Sequence, residues 1–222
     1  MEVIEAIRGR RSVRGFKPDP VPREVLEKLL DVCRWAPSPR NTQAWELAIL
    51  GGKVMEDIRA RLTKKVEAKE DPMLDIPPSE PPEPYLHRAL EQRDAVDTHQ
   101  FPPGTKNLQE KRDKFWVVGG RFHDAPNGIV FYAEKVLYPY VIFETGIMAQ
   151  TICLAAPAFG LGTCIMRRPI NWPDILRDVL GIPKSKIIIM AIAIGYPDSK
   201  ALVNSYPRTR IPLGEFTTWH GF

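Results

Sequence analysis

Four arginines and one serine fall within the nine residues of "RGRRSVRGF", positions 8–16. Side chains alternate along an extended chain, so Arg10, Ser12 and Arg14 share one side. Guanidinium forks beside a hydroxyl suit a phosphate, whose oxygens they meet in pairs. Near the other end, "YPRTR" at 206–210 repeats the device, with Arg208 and Arg210 on one side. Two such forks converging on one dianion would each contribute about 1.5–3 kcal/mol through charge-assisted hydrogen bonds. A positive run is more often a solvated face. A nucleic-acid or polyphosphate binder is a second reading, but the net charge is only +4 and the segment carries a single aromatic, where single-strand binders interleave several.

Other chemistries find little support. His87, His99, His123 and His220 lack the spacing of a metal site. Cys33, Cys153 and Cys164 contain no CxxC pair, and their odd number makes a poor disulfide framework, so a reducing, cytoplasmic compartment is expected. Cys164 reads as a buried core residue. Neither a G-x-S-x-G elbow nor a G-x-G-x-x-G turn is present. The N-terminus lacks the apolar stretch of a signal peptide. Residues 145–166 are uncharged, yet Pro157 and "FGLG" interrupt them, which predicts a buried helix, a turn and a strand rather than a membrane span.

The elements that must position these groups follow from periodicity. "VPREVLEKLLDVCRWA" predicts a helix with Pro22 at its first position, and "APSPRNTQAW" predicts a loop leading into a short strand, "ELAILGG", stopped by its two glycines. A charged helix is expected from Lys53 to about Lys69. Six prolines between Asp71 and Tyr85 then predict a stiff surface excursion, followed by helices near 84–98 and 105–118 that complete a lid-like insertion at about 69–115. The second half reads as strand, long buried helix, strand, helix, strand. "KIIIMAIAIG" is apolar on both faces and so predicts a central strand. The tail at about 199–222 has no helical period but carries Leu202, Ile211, Leu213, Phe216, Trp219 and Phe222, apolar groups that a partner subunit could cover. The whole chain, 1–222, reads as one domain.

Taken in order, "RRSVRGF", "APSPRNTQAW", "GLGTCIM", "AIGYP" and "YPRTR" span nearly the whole chain and together resemble the FMN-dependent nitroreductase family. The resemblance implies an α+β fold, a mixed and mainly antiparallel sheet surrounded by helices, in an intertwined homodimer whose C-terminal tails are swapped. It implies FMN as cofactor and NADH or NADPH as co-substrate, with hydride passing through flavin N5 to nitroaromatic or quinone-type acceptors in ping-pong fashion. Neither membrane nor nucleic acid is expected as a partner.

Carried over by position, Arg10, Arg11, Ser12 and Arg14 correspond to the first flavin-binding segment, and Arg208 and Arg210 join Arg10 and Ser12 at the phosphate and ribityl chain. Arg14 is expected beside the ring as the cation that favours its reduction. Pro37, Ser38 and Asn41 would approach from the other subunit, with turn-capping the alternative for Asn41. Met166, Arg167 and Arg168 follow the strand whose backbone faces the ring; arginines here depart from the small residues usual in the family. Tyr85, Lys106, Phe115 and Trp116 are candidates for the substrate lid. Reductive dehalogenation of halogenated tyrosines or phenols, known in the same superfamily, is the alternative reaction.

Overall fold

The computed structural model describes residues 2–222. A short helix α1 (Val3–Gly9) precedes α2 (Arg23–Cys33), which starts one residue after Pro22, placing that proline at the N-cap. Strand β1 (Glu46–Leu50) leads into α3 (Gly52–Glu67), and α4 (Tyr85–Gln100) and α5 (Leu108–Gly120) follow the proline-rich segment. Then follow β2 (Asn127–Glu134), α6 (Tyr140–Ala155), β3 (Gly162–Met166), α7 (Pro173–Leu180) and β4 (Lys186–Gly195).

The sheet runs β1-β2-β4-β3 with every pair antiparallel, and the only parallel pairing among the described residues is the isolated bridge from Ser12 to Thr163. Strand β4 is central, as its two apolar faces require. Its Ala191 and Ala193 join Val130 of β2 in a core with Met55, Ile58 and Leu62 of α3 and Leu176 of α7. Its Ile192 and Ile194 join Ile129 and Phe131 on the other face, under Leu26 and Leu29 of α2 and Met148 and Ile152 of α6. The period-two alternation of β2 and β4 thus separates two helical layers. Residues 140–159 are long and apolar enough to cross a bilayer by length and composition, but here they supply much of the second core.

One sequence expectation needs correction. The start of the proline-rich segment is strapped to the body rather than free on the surface. Asp75 accepts hydrogen bonds from Arg177 Nη2 (2.5 Å) and from the backbone N–H of Ile188 (2.8 Å). Trp172 Nε1 donates to Asp71 O, and Leu74 and Ile76 pack on the sheet. A polar side chain inside a proline-rich run can satisfy groups that only the fold brings to it, and composition does not register this.

Candidate functional site

The arginine segment leaves α1 and runs extended along the edge of β3. Val13 N–H donates to Thr163 O (2.9 Å), and the Val13 side chain sits so close over Gly162 that a Cβ there would lie 2.7 Å from it. Asn204 clasps the segment to the tail. Its Oδ1 accepts from the N–H groups of Arg14 (2.8 Å) and Gly15 (3.1 Å), while Nδ2 donates to Gly15 O (2.7 Å) and Asp198 O (3.0 Å). Gly15 allows this approach, since a Cβ would stand 2.3 Å from that of Ala201.

Tyr206, buried between the two segments, organises the guanidiniums. Arg14 lies over its ring, 5.5 Å from the centroid, and Arg11 at 5.9 Å; Arg11 Nη2 donates to Tyr206 O (2.9 Å). Arg208 donates to the carbonyls of Arg10 and Arg8. The result is a cavity of about 980 Å³ lined by Arg10, Arg11, Ser12, Arg14, Arg208 and Arg210, with α4 as the facing wall. That volume lies at the upper end of the roughly 300–1,000 Å³ usual for small-molecule sites. Counting Arg88 from α4, six arginines line the cavity against two carboxylates, Glu91 and Asp94. Burial and the neighbouring Arg11, Arg210 and Arg10 hold the Arg208 guanidinium below its ordinary pKa, and Arg11 Nε is buried without a partner. A cluster of like charges around a void fits a bound anion and costs free energy without one.

Arg14 and Gln92 also line a second, smaller cavity of about 180 Å³. Its floor is Cys164 to Arg168, and its roof is Val96 of α4 with Phe115 and Trp116 of α5. Arg168 stacks on Trp116, 3.9 Å from the ring centroid, and donates to Trp116 O (3.1 Å). Burial, the largest influence, raises the Cys164 thiol pKa although Arg14, Ser12 and Arg10 pull it down, so this cysteine stays protonated and makes a poor nucleophile. A positively charged cavity therefore shares Arg14 and Gln92 with an aromatic-roofed one. The pair suits a ligand with a phosphate at one end and a planar ring at the other, as FMN has.

Not every nominated residue meets here. Tyr85 and Lys106 are exposed and line neither cavity; Tyr85 instead carries Arg88 over its ring at 4.9 Å. Pro37, Ser38 and Asn41 also line neither. They occupy a loop in which Arg40, Asn41 and Gln43 adopt positive φ, a conformation costing about 1–3 kcal/mol per residue that surrounding structure must hold. Ser38 Oγ and Asn41 Oδ1 accept from Gln43. Buried Glu144 of α6 accepts from Thr42 Oγ1 (3.1 Å) and Ala44 N–H (3.4 Å). Sequence reasoning assigned no role to Asn204, Tyr206, Glu144 or His123. Tyr206 alone had a visible signal, as the first residue of "YPRTR". Among the described residues, no group of three or more His, Cys, Asp or Glu side chains could hold a metal ion.

Residues 7–196 match the family described as the Nitroreductase family. A 4-nitrobenzoate reductase of Pseudomonas putida is 29% identical over 97% of this chain and 94% of its own length. A chloronitrobenzene nitroreductase of Comamonas testosteroni is 31% identical, covering 98% and 96%. Among solved structures, the FMN-dependent nitroreductase NfnB from Mycobacterium smegmatis in complex with NADPH superposes with a TM-score of 0.88 at 27% identity, over 98% of this chain and 97% of that one.

Proposed function

The chain belongs to the nitroreductase family, and from that premise we propose that it is an FMN-dependent oxidoreductase passing the hydride of NAD(P)H to nitroaromatic acceptors. The observation that carries this reading is the junction at Arg14 of an arginine-lined cavity with an aromatic-roofed one. For the first two-electron step the balance is nitroarene + NAD(P)H + H⁺ → nitrosoarene + NAD(P)⁺ + H₂O. FMN, when bound, would supply the redox chemistry that relays the hydride between the two substrates.

The protein's part is to bind, orient and set charge. Arg10, Ser12, Arg208 and Arg210 would hold the phosphate and ribityl oxygens, with Arg11 beside them. Arg14, fixed by Tyr206, would place a permanent cation next to the ring, where it stabilises added negative charge without reorganising. Met166, Arg167 and Arg168 would floor the ring, and Phe115 and Trp116 would close over the acceptor and keep water out. The arginines surround a compact cavity rather than a stripe, which favours a small anionic ligand over nucleic acid.

A second copy of the chain would cover what this one leaves bare. Trp35 is 80% exposed, Tyr140 81%, and Trp219 and Phe222 protrude from the tail. Such a homodimer would bring Pro37, Ser38 and Asn41 to the partner's cavity, consistent with their absence from this chain's own. The three cysteines are free and buried, which suits the cytoplasm.

The smaller cavity, where the acceptor would stack on the ring, is itself basic: Arg14, Arg93, Arg167 and Arg168 line it, and its one acid, Asp97, is already paired with Arg112 at 2.8 Å. An anionic nitroaromatic is therefore the preferred acceptor. Steady-state oxidation of NADPH by FMN-loaded protein should give a KM about tenfold lower for 4-nitrobenzoate than for nitrobenzene, with the gap narrowing as salt rises. No nitroarene-dependent turnover would defeat the function, whereas equal KM values would defeat only the charge preference.

A further inference from the structure

His123 is a histidine in an uncommon setting. It is the middle of three consecutive non-glycine residues with positive φ, Phe122 (65°), His123 (51°) and Asp124 (54°). Phe122 is fully buried and anchors the turn in the core, and His123 itself is 8% exposed. Its ring packs on Phe115, with centroids 5.8 Å apart, and lines the small cavity with Trp116, Cys164 and Arg168. Among the described residues Nδ1, sealed from solvent, has no partner, and none hydrogen-bonds Nε2. A ring held at a cavity wall by a costly backbone conformation, with Nε2 left without a partner, is placed to meet a ligand through that nitrogen.

The charged and titratable groups around the cavity are Arg14, Arg93, Arg167, Arg168 and Cys164, with Asp97 already committed to Arg112. None offers the imidazole a free counter-charge. Burial first, and then Arg14 and Arg168, push its pKa down to about 3, so it is a neutral donor-acceptor ring across the physiological range. A proton on Nδ1 would be an orphaned buried donor, the rarer kind of unsatisfied group. The proton therefore belongs on Nε2.

Resting on the function proposed above, we infer that His123 is an acceptor-contacting residue: its neutral Nε2–H donates a hydrogen bond to an oxygen of the nitro group and so selects acceptors that carry one. The imidazole transfers no proton in this role. It orients the group and polarises it, a task for which a neutral ring held by strain is suited and a charged one beside two arginines is not.

The test compares FMN-loaded wild type with His123→Phe, which preserves the aromatic packing on Phe115, and with His123→Asn, which tolerates positive φ and keeps an N–H donor. Binding to the oxidised holoenzyme, without reductant, is followed by flavin absorbance with 4-nitrobenzoate and with benzoate, its nitro-free counterpart. For His123→Phe the expected result is about tenfold weaker binding of 4-nitrobenzoate with benzoate unchanged, and a 10–100-fold slower reoxidation of reduced enzyme by 4-nitrobenzoate. His123→Asn should recover most of both. In wild type, the ¹⁵N signal of His123 Nε2 should move on adding 4-nitrobenzoate and not benzoate, a readout that survives if His123→Phe does not fold. Equal loss of both ligands, an unmoved ¹⁵N signal, or slowing confined to the NADPH step would each overturn the assignment. Failure of wild type to take up FMN or to be bleached by NADPH would instead overturn the enzyme reading beneath it.

Discussion

Replacing Arg10 and Arg210 together with alanine is expected to leave a folded protein that no longer retains FMN. Both side chains line the large cavity. Among the described residues the Arg10 side chain donates no hydrogen bond, and the Arg210 side chain donates only to the adjacent Thr209 O. Removing them therefore relieves repulsion in the unliganded protein while deleting two charge-assisted contacts of about 1.5–3 kcal/mol each, or roughly 10- to 100-fold apiece in affinity. Titration by quenching of flavin fluorescence should show the Kd rising by about 10²–10⁴, with thermal stability unchanged or slightly improved. A Kd within threefold of wild type would mean that the phosphate is held elsewhere. Arg208 is a less clean probe, because it also ties the tail to the carbonyls of Arg8 and Arg10.

The second large effect concerns stability. Asp75 and Arg177 form an ion pair at 2.5 Å with side chains only 13% and 10% exposed. Removing one partner of such a pair strands the other, at about 3–5 kcal/mol. Arg177 keeps its bond to Lys186 O and its exposed partner Asp174 at 3.7 Å, which moderates the loss, but the Ile188 N–H loses its acceptor. Asp75→Ala should therefore cost about 3 kcal/mol, or a Tm lower by about 6–12 °C for a chain of this size. Calorimetry on the wild type, Asp75→Ala and the double variant Asp75→Ala/Arg177→Met checks this. The double variant should recover part of the loss, because it leaves no uncompensated charge. A single-variant loss below 1 kcal/mol would show that the strap contributes nothing and that the proline-rich segment is only a tether.

How far the sequence could be read depended on whether a feature is local. Helix α2 and strands β2 and β4 announce themselves because burial on one or both faces imposes a period. The two arginine segments are local patterns too, and the fold brings them to one cavity. Helix α4 is different. Polar residues surround it on nearly every side, so no stripe revealed which face meets the cavity. Tyr85 was nominated by residue type alone, but it lies in the first turn, while Gln92 and Val96, one turn apart, face the site. Asn204, Glu144 and Asp75 act through partners about 100 to 190 positions away, and nothing around them in sequence marks this. His123 was judged only as a metal ligand. Its significance comes from a strained backbone and a missing partner, both properties of the folded chain.

Central to this account is a protein whose arginine cavity holds FMN so that reduction and reoxidation occur as separate steps. The direct measurement is the absorbance of the FMN-loaded protein under anaerobic conditions, first with one equivalent of NADPH and then with 4-nitrobenzoate. The account predicts bleaching of the flavin bands without acceptor present, and their return when 4-nitrobenzoate is added. Flavin that NADPH cannot bleach, or bleached flavin that 4-nitrobenzoate cannot restore, would contradict it.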